Sequence, residues 1–227
     1  MKSYYHIKLL NGYSNKWSIG ESIRTPSNES NHFQKSILRG LDRITSDRRN
    51  NQRFLDYASD FIDENDFNKF DSSELDTEMT ELMLEEKYSG FQHLASELLK
   101  CNFQYLKWIR EEIFENIRLK YYEKIPSRKK GIWICENEYV KFWWDEIGKN
   151  SRKEIYEIKL ADSTKLHKAD ELYVKLTSLS PSELENNAHQ YWKGIINSDS
   201  NIEILYEGEL IVINKFESID EWQKTNT

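Results

Sequence analysis

Gly131-Ile132-Trp133-Ile134-Cys135-Glu136 is a four-residue apolar run closed by a glycine on one side and an acid on the other, and it reads as a short buried strand. It follows Pro126-Ser127-Arg128-Lys129-Lys130, where the proline ends the helical pattern before it. Two distant stretches share its strand character. Tyr4-Tyr5-His6-Ile7-Lys8-Leu9-Leu10 alternates, with Tyr5, Ile7 and Leu9 on one face and Tyr4, His6 and Lys8 on the other. Ile202 to Tyr206 and Leu210 to Phe216 form a last pair of strands joined at Glu207-Gly208, with the glycine supplying backbone freedom for a turn or bulge. Each region carries a residue that burial does not ask for: His6, Trp133 and Glu203. If the strands lie together, an imidazole, an indole and a carboxylate face one cleft.

The intervening chain has a different rhythm. Residues 11–31 are polar and glycine-containing, a loop with room for a short strand around 17–23, and weak helical patterning follows over 33–44. From Phe54 to Tyr122 the pattern is helical, clearest over 91–122, where Leu94, Leu98, Cys101, Tyr105 and Trp108, then Ile109, Ile113 and Ile117, recur at spacings of three and four. Ser73 with Asp76 resembles a capping box at a helix start. Beyond Pro126 the pattern predicts a strand at 132–135, a short aromatic helix over 137–147, a strand at 155–160 with Tyr156, Ile158 and Leu160 inward, and a short helix over 166–179. Ser180-Pro181-Ser182-Glu183 is a strong helix start, and that helix runs to Trp192 and stops at Gly194. The order predicts an α+β fold. The expectation is one domain over 1–227 with a helical insertion at 54–122.

Composition narrows the class. A chain of 227 residues is long enough for a sizeable core, and seven tryptophans and thirteen tyrosines supply much of it. No apolar run approaches a membrane span and no basic-then-apolar leader opens the sequence, so a soluble, cytoplasmic protein is expected. Cys101 and Cys135 lack ligand spacing and read as buried thiols, and His32, His93, His167 and His189 read as structural or exposed; no metal is implied. A net charge of −7 argues against wholesale attraction to nucleic acid. Lys107, Arg110, Arg118, Lys120, Lys124, Arg128, Lys129 and Lys130 nevertheless gather around the end of the long helix, among Glu111, Glu112, Glu115 and Glu123. Protein and nucleic acid both stay open as partners.

Taken together, His6 in its Tyr-Tyr-His-Ile strand, Pro126-Ser127-Arg128 leading into Gly131–Glu136 and an aromatic helix, and Ile202-Glu203-Ile204-Leu205-Tyr206 resemble the ADP-ribosyltransferase superfamily, in particular a bacterial branch in which Pro-Ser-Arg precedes the second core strand. The resemblance implies a split, mostly antiparallel sheet of ADP-ribosyltransferase type around an NAD cleft, with NAD as substrate and a macromolecular acceptor. It implies that His6 hydrogen-bonds ribose or nicotinamide, that Trp133 stands where the family often has tyrosine, and that Glu203 is the key carboxylate, with Glu207 and Glu209 as neighbours of the same type. The tryptophan and the long helical insertion depart from the family pattern.

The residue types suit that chemistry. Cleaving nicotinamide from ribose passes through an oxocarbenium-like state of the kind glycosidases stabilise with carboxylates. Glu203 suits the adjacent hydroxyl, Trp133 or Trp144 the pyridinium ring, and Ser127 with Arg128 the diphosphate. Glu136 either orients a ligand or opens the helix at Asn137. Plainer readings stand beside these: Glu203 as an edge-strand charge, Arg128 as part of a solvated turn, Trp143 and Trp144 as core. NAD hydrolysis on the same fold, and a partner-binding helical module, are the competing functions.

Overall fold

The structure, a computed structural model, describes residues 3–10, 16–26, 29–46, 77–149, 151–161, 165–176, 180–197 and 202–226. The capping-box candidate at Ser73 and Asp76, and residues 54–76 of the expected insertion, lie outside them. The chain divides into two compact units, one of residues 1–34 with 110–227 and one of residues 35–109.

The first unit carries the strands. Tyr4–Leu9 (β1) and Ser22–Arg24 (β2) come first, then Ile132–Ile134 (β3), Lys153–Leu160 (β4), Lys165–Asp170 (β5), Ile202–Glu207 (β6) and Glu209–Phe216 (β7). They form a four-stranded sheet, β1-β4-β7-β2, and a three-stranded sheet, β3-β6-β5. Every pairing among the described residues is antiparallel, so the α+β class read from the sequence holds. The sheets meet where Tyr5 and Cys135 exchange a pair of 2.8 Å backbone hydrogen bonds, an isolated bridge between β1 and β3.

His32–Ser46 (α1) and Thr77–Tyr121 (α2) each begin in one unit and end in the other; the second unit holds residues 35–46 and 77–109 of these helices. Of the helical insertion expected over 54–122, Arg110–Tyr121 falls in the unit that carries the strands. Val140–Glu146 (α3) follows a 3-10 turn at Asn137–Tyr139, and Pro181–Trp192 (α4) starts as its sequence demands. There the Ser180 hydroxyl accepts from the Glu183 amide and the Glu183 carboxylate accepts from the Ser180 amide at 2.7 Å, a complete capping box. Gly194, at φ +70°, ends the helical run. A last helix that the patterning did not predict, Ile219–Asn226 (α5), starts where the Ser218 hydroxyl accepts from the Glu221 amide.

One predicted element is wrong. The helix expected over 166–179 is instead β5, paired with β6 from Lys165↔Glu207 to Asp170↔Ile202, followed by a 3-10 turn at Glu171–Val174. Pairing with a neighbour distant in sequence overrode the local pattern, and the Asp170 carboxylate, accepting from the Leu172 amide at 2.9 Å, opens the turn. The inward face of β4 is likewise only half the story. β4 lies between β1 and β7, so Tyr156 and Ile158 pack on one side and Ile155 on the other.

Three apolar clusters hold the unit together. Ile134, Ile202, Ile204 and Tyr206 of the small sheet meet Tyr156, Ile158, Leu210 and Val212 of the large one. Leu205, on the opposite face of β6, packs with Phe114 and Ile117 of α2 and with Ala188, Tyr191 and Trp192 of α4. Tyr5, Ile7, Ile155 and Phe216 pack with Cys135, Val140 and Trp222.

Close approach at the start of β3 makes one glycine obligatory. A Cβ on Gly131 would sit 2.7 Å from Leu205 Cδ1 and 2.9 Å from the Ser127 carbonyl oxygen, and the latter is backbone that cannot swing aside. Gly131→Ala is expected to lower stability by about 1–3 kcal/mol, typical of overpacking, read from the urea midpoint.

Candidate functional site

Alternation along β6 decides what Glu203 faces. Ile202, Ile204 and Tyr206 point into the cluster between the sheets, so Glu203 and Leu205 point the other way, toward α4 and the end of α2. β6 is the central strand of its sheet, which removes the edge-charge reading. The Glu203 side chain is 7% exposed, and a carboxylate taken that far from water needs partners. They come from three places: Arg128 Nη1, the Tyr191 hydroxyl and, at 3.4 Å, Trp133 Nε1. All three donate to Oε1. No group among the described residues bonds Oε2 in any of these contacts.

Arg128 is the hub. Its Nε donates to Glu111 Oε2 at 3.1 Å, Nη1 to the Tyr191 hydroxyl at 2.9 Å and to Glu203, and its guanidinium lies 5.3 Å from the Trp133 ring. Far from forming a solvated turn, Arg128 is buried, as is its neighbour Ser127. The Ser127 hydroxyl donates to Glu115 at 2.9 Å and accepts from the Lys129 amide, while Glu115 also pairs with Arg118. The residue types suit Ser127 and Arg128 to a diphosphate; here both side chains turn inward and their donors are taken by Glu111, Glu115, Tyr191 and Glu203. Two flanking arginines hold Glu111 ionised against its burial, keeping its carboxyl below the usual range.

His6 is elsewhere. It pairs with Tyr156, whose side chain belongs to the cluster between the sheets, and stacks on Trp17 at 4.8 Å. Directly opposed residues of an antiparallel pair share a face, so His6 and Glu203 lie on opposite faces of their strands. Its Nδ1 lies 2.8 Å from the Trp133 carbonyl, and since a carbonyl can only accept, Nδ1 carries the hydrogen. Continuing the Tyr5–Cys135 register would bring Ile7 opposite Trp133; the imidazole serves that carbonyl instead, at the point where the strands part. Burial, outweighing the hydrogen bond and joined by nearby Lys8, lowers the imidazole pKa to about 4.

Trp133 therefore touches both groups, the carboxylate through its indole and the histidine through its backbone, and Phe33 meets its ring edge-on at 5.1 Å. Glu136 and Trp144 do not join them. Glu136 pairs with Lys168, and Trp144 packs beside Lys153 against the cluster of Tyr5, Ile155 and Trp222. Glu207 accepts from the Ser127 amide at 3.0 Å and Glu209 pairs with Ser22 and Arg24, so neither has the surroundings of Glu203.

The family described as "Protein of unknown function (DUF2441)" matches residues 4–221. The chain belongs to the DUF2441 family. No curated protein matches it. The matched span opens in β1 and closes in α5, so it takes in every group around Glu203.

In this DUF2441 chain, Glu111 and Tyr191 are the site residues that sequence reasoning missed. Glu111 lies in the run Arg110-Glu111-Glu112 and Tyr191 beside Trp192 at the end of a helix, so neither carries a local signal of a shared site. The basic cluster is correspondingly smaller than it reads, because Arg110, Arg118 and Arg128 are buried in ion pairs. Among the described residues no helix is long and apolar enough to cross a membrane.

Arg128→Met leaves Glu111 and Glu203 buried without their shared cation, and a loss of about 3–5 kcal/mol is expected from denaturant unfolding. The imidazole gives a second expectation. Its folded pKa lies below its unfolded value of 6.5, so the unfolded chain binds more protons and the stability His6 contributes, complete above pH 6.5, is lost as pH falls through about 4. His6→Asn keeps a donor for the Trp133 carbonyl but cannot titrate; its melting temperature is expected to fall less steeply between pH 6.5 and 4.

Proposed function

We propose that this protein consumes NAD, transferring ADP-ribose to a macromolecular acceptor, with Glu203 as the carboxylate that stabilises the transition state. The observation that carries the reading is the division of labour within that carboxylate. Among the described residues three donors converge on Oε1, and the proposal assigns Oε2 to the ligand. A carboxylate oriented before substrate arrives costs no reorganisation when positive charge develops beside it.

In the proposed step the bond between ribose C1 and the nicotinamide nitrogen breaks, and its electron pair passes to the ring nitrogen, so nicotinamide leaves neutral. Glu203 Oε2 accepts from the neighbouring ribose hydroxyl and offsets the charge on the sugar. The acceptor's nucleophilic atom then gives an electron pair to C1 and loses its proton to water. The division of the strands into two antiparallel sheets joined at Tyr5 and Cys135 supports the reading, because the family resemblance implies a split sheet. In this reading Arg128 and Ser127 build the site from within, and His6 steadies β3 without touching substrate.

NAD is expected to raise the melting temperature of the wild type and of Glu203→Gln alike, while the substitution lowers nicotinamide release by about 100-fold or more. Labelled ADP-ribose that resists release until protease or nuclease digestion identifies the acceptor class. The absence of both a melting shift and nicotinamide release in the wild type, with lysate supplied as acceptor, refutes the proposal.

A further inference from the structure

Of the three donors to Glu203, Tyr191 alone is a hydroxyl. Its ring is fully buried on α4, edge-on to Phe114 at 5.5 Å and to Trp192 at 4.7 Å, and its backbone carbonyl takes His167 Nε2 at 2.8 Å. The hydroxyl accepts from Arg128 Nη1 and donates to Glu203 Oε1, so both its roles are filled and their direction is set, since a guanidinium cannot accept. Burial, foremost among the causes, raises the phenol well above its usual pKa and keeps that hydrogen in place. Arg128 is shared with Glu111, and Trp133 Nε1 reaches Oε1 only at 3.4 Å.

We infer that Tyr191 is the positioning residue of the site, fixing the rotation of the Glu203 carboxylate so that Oε2, and not Oε1, meets a hydroxyl donor on the ligand. The inference rests on the reading of Glu203 as the working carboxylate. It adds a residue that touches no substrate and works through Glu203. Sequence places it twelve residues before Glu203, on a helix.

Tyr191→Phe removes the hydroxyl and keeps the ring packing. The measurement is a pair of crystal structures, wild type and Tyr191→Phe, at the same pH and without NAD. With the hydroxyl gone the Glu203 carboxylate is expected to turn about its last side-chain bond, so that Oε1 no longer lies within hydrogen-bond distance of both Arg128 and Trp133. In turnover, kcat is expected to fall by about 10- to 100-fold with little change in KM for NAD. An unturned carboxylate overturns the positioning role, and so does an unchanged kcat in an active enzyme. A turned carboxylate in the variant, beside a wild type that releases no nicotinamide, supports the positioning role and refutes NAD consumption instead. Should Tyr191→Phe not fold, 4-fluorophenylalanine introduced at position 191 alone fills the space of the hydroxyl without donating, and the same turn is expected; its absence overturns the inference.

Discussion

The buried guanidinium of Arg128 is the constraint on which the strand-bearing unit depends. Taking an arginine and two glutamates out of water costs several kcal/mol per ion, and the cost is offset only if the geometry satisfies nearly every donor and lone pair. Arg128 meets that demand by spending its fork on Glu111, Glu203 and Tyr191 at once. The three partners come from α2, β6 and α4, so this one side chain ties a helix end, the central strand of the small sheet and the helix over it into a single arrangement. The Pro-Ser-Arg turn that carries it is fastened in turn by Ser127 to Glu115, which is itself neutralised by Arg118.

From that frame the division between the sheets acquires a reason. β1 and β3 share one backbone pair and then diverge, and the carbonyl orphaned by the divergence is met by His6. An unmet buried carbonyl would be costly, so the histidine earns a structural explanation before any chemical one. Trp133 stands between the two devices, with its backbone tied to His6 and its indole to Glu203. A carboxylate steadied from three directions and a strand steadied at its carbonyl are what preorganisation requires of a site.

Much of the fold was legible because its signals are local. The Ser180 capping box, the stop at Gly194, the turn at Gly208 and the strands at 4–9, 132–134, 202–207 and 209–216 each rest on residues within a few positions of one another. β5 was not legible as a strand because its partner, β6, lies more than thirty residues away and nothing within Leu166–Asp170 outweighs a helical reading. At the site, Trp133 and Glu203 are brought together, and His6 is attached to Trp133 from the opposite face. Arg128 stands out in the sequence as a fork for a diphosphate, and the structure surrounds it with Glu111, Tyr191 and Glu203. A phosphate-binding arginine and a buried structural arginine look alike in sequence, and only the presence of Glu111 and Glu203 within reach distinguishes them.

What the sequence by itself determined is the alternation of most strands, the capped start and the stop of the helix after Ser180, and the residue types available for chemistry, since these follow from periodicity, caps and turns along a few residues of chain. Which face of β6 a carboxylate occupies, whether Arg128 meets solvent or Glu203, and that Tyr191 holds an oxygen rather than filling space were decided only by the tertiary structure. Those outcomes depend on pairings and desolvation between segments separated by tens to more than a hundred residues, and charge buried far from water leaves no mark on the local pattern of the chain.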